Sequence, residues 1–101
     1  MLATLHVVFS SEDQQDYDAL KHELKQIYPQ ISVSPFRPYH LKDHSEFYAT
    51  MHIEKEKVPA LLKQLNNDWD GEEDDCECYG FNTRMFHPLV YCLQFQYYDE
   101  K

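Results

Sequence analysis

Glycine is almost missing from this chain, with two in 101 residues. That excludes a glycine-rich phosphate cradle and leaves no composition for a flexible linker. No basic residue lies between Lys63 and Arg84. No apolar stretch approaches the roughly 18 residues of a membrane span. The first residues, MLATLHVVFSSEDQ, carry no positive n-region. Their short apolar run is broken by His6 and no small-residue cleavage site follows, so a secretory signal is not expected. Three cysteines make an odd set that suits a reducing compartment better than a disulfide framework. A cytoplasmic location is the resulting expectation.

Catalytic signatures are also lacking. Ser10, Ser11, Ser32, Ser34 and Ser45 fall in strand, cap or loop contexts, without a G-x-S-x-G elbow. No cysteine stands in a local His–Cys motif. The sequence therefore points away from an enzyme, and no cofactor is implied.

What is present is negative charge and large side chains. Eighteen acids against nine bases give a formal charge of −9, while 43% hydrophobic and 15% aromatic content exclude a disordered chain. The length fits one domain spanning residues 1–101. A surface this acidic repels a phosphate backbone or an anionic membrane, and favours cations or basic proteins.

Hydrophobic periodicity gives the order βαββαββ. Leu2–Phe9 alternates, with Ala3, Leu5, Val7 and Phe9 on one side. Ser10 or Ser11 is placed to cap a helix carrying Tyr17, Leu20, Leu24, Ile27 and Tyr28, stopped by Pro29. Ile31–Phe36 reads as a short strand and residues 37–45 as loop. Glu46–Ile53 alternates again. Val58, Leu61, Leu62, Leu65 and Trp69 form a second helical stripe. Cys76–Phe81 and Pro88–Tyr98 read as strands, the latter with Leu89, Tyr91, Leu93, Phe95 and Tyr97 on one face. This pattern predicts an α+β, ferredoxin-like two-layer sandwich, mostly antiparallel, with two helices on one face.

The most pointed feature is DWDGEEDDCE, residues 68–77, with seven carboxylates in ten positions. Such a run is solvated, holds a cation, or faces a positive partner. Counted from Asn66, it places Asp68, Asp70, Gly71 and Glu77 at EF-hand positions three, five, six and twelve. It departs from that pattern in lacking a first Asp, in having Glu73 where an apolar residue belongs, and in leading into a strand. His40 and His44 stand in a proline-flanked loop, where a four-residue spacing does not bring two rings together. Cys76, Cys78, Cys92 and His87 suggest zinc ligands but match no standard spacing, so no metal is assigned.

The leading expectation is a small acidic, non-enzymatic binding protein. Its concrete form is an inhibitor or immunity-type protein that covers a toxin, nuclease or other nucleic-acid-binding protein without touching nucleic acid itself. Asp68, Asp70, Glu72, Glu73, Asp74, Asp75 and Glu77 supply the field, and Trp69 and Tyr79 the aromatic anchors. A competing expectation, with a homodimer possible, is a ferredoxin-like enzyme or small-ligand binder. It would use His6, Tyr48 and His52 on the sheet face that the helices leave open.

Overall fold

The computed structural model describes residues 1–80 and 85–98. Its sheet is built on three eight-residue strands, β1 (Leu2–Phe9), β4 (Ser45–His52) and β7 (Val90–Tyr97). Shorter strands are β2 (Ser32–Val33), β3 (Arg37–Pro38), β5 (Asp70–Glu72) and β6 (Asp75–Tyr79). The sheet is antiparallel in the order β2-β4-β1-β7-β6-β5, with β3 also on β4.

Two helices complete the α+β fold: α1 (Gln14–Ile27) and α2 (Val58–Leu65). The first is capped by Asp13, whose carboxylate accepts the Gln15 N–H at 2.9 Å, rather than by Ser10 or Ser11. Ser11 instead hydrogen-bonds Asp16. α1 ends where the Tyr28 N–H bonds the Leu24 carbonyl, just ahead of Pro29. In α2, Pro59 is tolerated because it sits in the first turn.

One face of the sheet is the core. Ala3, Leu5, Val7, Phe9, Phe47, Ala49, Met51, Leu93, Phe95 and Tyr97 join Tyr17, Leu20 and Leu24 of α1 and Val58, Leu61 and Leu65 of α2. Phe9, Tyr17, Phe36 and Phe47 pack as tilted, edge-on and stacked pairs, with centroids 4.8 to 6.0 Å apart. Each such pair contributes about 0.5–1.5 kcal/mol beyond burial.

The ferredoxin-like expectation needs correcting at one end. Beyond β7 the sheet continues through β6 and an added β5, an order that is not ferredoxin-like, and with β3 added on β4 it has seven strands among the described residues against the five expected. The acidic run, expected to be a helix-to-strand loop, forms the β5–β6 hairpin, with Asp70 opposite Glu77 and Glu72 opposite Asp75. Three further boundaries move. Ile31–Phe36 contributes only Ser32–Val33, because Pro35 breaks the ladder. Residues 37–45, expected as loop, supply β3. The second helix stops at Leu65 and leaves Trp69 outside. Phe81, the expected end of β6, lies outside the described residues.

A bulge alters β7. Val8 pairs with Cys92 and Phe9 with Val90, so Tyr91 is an extra residue in the ladder. Val90 takes the core position, and Tyr91 packs against His44 and Tyr79 instead of sharing a face with Leu93.

Candidate functional site

The side of the sheet away from the helices carries the outward residues of each strand. Cross-strand register sets two rows on it. One runs Tyr48, His6, Gln94, Glu77, Asp70, and the next runs Thr50, Thr4, Gln96, Asp75, Glu72. Polar and charged groups therefore cross the sheet from β4 to β5 in order.

At the β5 end, Asp70, Asp75 and Glu77 line an open depression of about 340 Å³ with Gly71, Cys76, Gln94 and Gln96. The Gln96 amide donates to Asp75 at 3.2 Å, and the Tyr79 hydroxyl donates to Glu77 at 3.1 Å. That bond to Glu77, reinforced by negative neighbours, pushes the Tyr79 hydroxyl up to about 12. Tyr79 is 40% exposed.

The seven carboxylates do not form one patch. Asp75 and Glu77 share the outward face, and register places Asp70 and Glu72 with them. Glu73 turns the other way and accepts the hydroxyl of Tyr97, a core residue, at 3.1 Å. Asp74 sits in the turn, where its carbonyl accepts the Tyr97 N–H. Asp68 precedes the strand, its N–H bonded to the Asn66 side chain at 2.7 Å in an Asx turn. Trp69 is not an exposed anchor. Its indole N–H donates to the Leu62 carbonyl at 2.8 Å and its ring packs edge-on against Phe95.

The hairpin is also the last strand pair of the sheet, and it is short and charged, with Gly71 at φ +111°. These features discourage another strand from pairing with it. Aspartate and glutamate at this edge thus place an anionic surface on the last strand pair.

At the β4 end, His6 is clamped between strands. Its Nε2 lies 2.7 Å from Glu46 and its Nδ1 3.0 Å from Gln94, while its ring stacks on Tyr48 at 4.6 Å. Arg37 reaches over from β3 to donate to Glu46 at 3.1 Å, with its guanidinium 5.9 Å from the Tyr48 ring centre. Burial pushes the Glu46 carboxyl up, but hydrogen bonds and positive charge from His6 and Arg37 outweigh it and hold the group below its ordinary value. Both ring nitrogens of His6 are engaged, so the imidazole braces β1 against β4 and β7. His52 is not beside it. Register sets His52 opposite Leu2 and His6 opposite Tyr48, and His52 instead lines a shallow depression with Met1, Tyr28 and Lys57. Glu46 and Arg37 were missed by sequence reading. Alternation does place Glu46 on the Tyr48 side, but Arg37 reaches it only through the two-residue strand Arg37–Pro38, in a stretch where prolines argue for loop.

The cysteines are divided by the sheet. Cys76 and Cys78 enter the core, whereas Cys92 is buried beside Val8. Burial, with nearby carboxylates, pushes the Cys76 thiol up to about 11 and, with the other thiols, Cys78 up to about 12. The zinc set considered above is not assembled, since His87 bonds the Leu89 N–H through Nδ1. In the twelve residues read against an EF-hand, Asp70 and Glu77 are cross-strand partners in a hairpin, which replaces the wrapping loop of that motif. Among the described residues no three of His, Cys, Asp and Glu are grouped to hold a metal, and no helix is long and apolar enough to cross a membrane. No protein-family model, curated protein or solved structure matches this chain.

Proposed function

We propose that this protein is a small acidic, non-enzymatic binding protein whose β5–β6 hairpin meets a basic protein partner. Its concrete form is an inhibitor or immunity-type role against a nuclease or another nucleic-acid-binding protein. The observation that carries this is the convergence of Asp70, Asp75 and Glu77 with two amides on one open depression of the helix-free face. Carboxylates there, with the exposed Tyr79 beside them, offer lysine or arginine side chains several acceptors and an aromatic contact. The ion pairs His6–Glu46 and Arg37–Glu46 both end outside this depression. Long-range attraction from a net charge of −9 speeds encounter, and salt weakens it.

The test is titration of a fluorescent, arginine-rich peptide at low and high salt. Asp70→Asn, Asp75→Asn and Glu77→Gln are combined in one variant, and Asp18→Asn, Glu23→Gln and Glu56→Gln in another. Both lose three negative charges. The hairpin variant is expected to bind about tenfold or more weakly, a loss of at least ~1.4 kcal/mol. An equal loss in both variants would assign the attraction to overall charge and remove the hairpin as the site.

A further inference from the structure

The hydrogen bonds around His6 can be satisfied in only two ways. Its side chain, 14% exposed, places Nε2 2.7 Å from the Glu46 carboxylate and Nδ1 3.0 Å from the side-chain oxygen of Gln94. Burial works against ionisation of Glu46, but its bonds to His6 and Arg37 prevail and keep it a carboxylate. An ionised carboxylate only accepts, so Nε2 carries a hydrogen whatever the charge of the ring. Nδ1 is then the nitrogen that changes. Protonated, it donates and needs the Gln94 oxygen. Bare, it accepts and needs the Gln94 NH2 group instead. The carboxamide must therefore turn end for end when His6 gains or loses its proton.

The other groups around His6 meet it through their own rings or stand one strand away. Tyr48 of β4 stacks on it, and Tyr39, which leans on His40 after β3, is tilted at 6.3 Å. Burial raises Tyr39 and, on β7, Cys92, so both stay neutral. Beyond Gln94 comes Glu77 of β6, its cross-strand partner. Gln94 thus belongs to two places, since it also lines the depression that holds Asp70, Asp75 and Glu77. The end of its amide not spent on His6 is the end left for that depression. With His6 charged this is the NH2 group, a donor that competes with a cationic side chain for the carboxylates. With His6 neutral it is the oxygen, one more acceptor, and the positive charge behind it is gone.

We infer that His6 and Gln94 form a proton-controlled switch on the acidic depression, in which loss of the His6 proton turns the Gln94 carboxamide and strengthens binding of a cationic side chain. This deepens the reading of the hairpin as the surface for a basic partner, and rests on it. Gln94 acts as the positioning residue that carries the protonation state of His6 from β1 to β6.

The test titrates the fluorescent arginine-rich peptide at fixed low salt from about pH 5.5 to 8, where histidine is the ordinary side chain that changes charge. The His6 ring and the Gln94 side-chain amide are followed by NMR in the same samples. Affinity should rise about threefold or more along the His6 titration curve, the scale of one exchanged hydrogen bond, and the Gln94 amide signals should move on that curve. By reciprocity, saturating peptide should move the His6 curve to lower pH. Gln94→Met, at an exposed position, keeps a side chain of similar length without an amide and should bind peptide with no such step. His22→Gln removes an exposed histidine of α1 and should keep the step. A step that survives in Gln94→Met would assign the pH dependence to charge alone and overturn the switch. Flat affinity in the wild type, or Gln94 signals that ignore the His6 curve, would overturn it too. In each of these cases, binding that still needs Asp70, Asp75 and Glu77 leaves the basic-partner reading standing. Peptide that fails to bind at any pH removes that reading and the switch with it.

Discussion

Glu46 shows how a single carboxylate can be held ionised inside a sheet face. Its side chain is 14% exposed and bonded to both His6 and Arg37. Because its folded value is depressed, its contribution to stability is complete above the ordinary carboxylate range and is lost as pH falls through the folded value. Glu46→Gln should lower stability by about 1–2 kcal/mol at neutral pH, the scale of lost charged hydrogen bonds, measured by urea unfolding. The same variant should show a shallower acid limb than the wild type. An unchanged acid limb would mean that the pair with His6 is solvated in solution. The thiols move oppositely. Burial raises Cys76, Cys78 and Cys92, so each favours the neutral form in the fold and opposes folding once pH climbs past its unfolded value. At mildly alkaline pH a thiol-specific disulfide reagent should label none of the three in the native protein and all three in urea. Rapid native labelling of any one would show that its neighbours open.

At the scale of elements, the hairpin β5–β6 depends on Gly71. At φ +111° an L side chain is strained, and a Cβ there would stand 2.6 Å from the Asp75 carbonyl oxygen, a backbone atom that cannot step aside. Gly71→Ala is expected to cost about 1–3 kcal/mol and to raise amide exchange first in residues 70–77. Uniform exchange across all strands would show that the hairpin is not a separate unit. This element was also the least legible in the sequence. Aspartate, glutamate and glycine have poor strand propensity, so DGEEDD reads as loop. Pairing came from the neighbouring β6, whose Cys76 and Cys78 alternate into the core. The three long strands and both helices were readable because each buries one periodic stripe, Ala3 to Phe9 and Tyr17 to Leu24 among them. Tyr91 was assigned to the wrong face for a different reason, since alternation carries no mark of the bulge beside Phe9. Trp69 continued a helical spacing from Leu65, yet the Asx turn at Asn66 ended the helix and folded the indole back onto Leu62.

At the scale of the whole molecule, the acidic edge has two possible uses with opposite signatures. Carboxylates crowded on Asp70–Glu77 repel one another within a molecule of net charge −9, a cost in stability that salt screens. Neutralising Asp70, Glu72, Asp75 and Glu77 together should therefore stabilise the fold by about 0.5–1 kcal/mol at low salt, with the difference shrinking as salt is added. If these charges exist to meet a basic partner, that variant loses arginine-peptide binding yet stays soluble, as the short β5 and its left-handed glycine still blunt the edge. If they exist to guard the ladder, it precipitates or forms thioflavin-positive aggregate on standing. Light scattering alongside the peptide titration separates the two. A stabilised, soluble variant that binds the peptide as well as the wild type would leave the hairpin's charge with neither role.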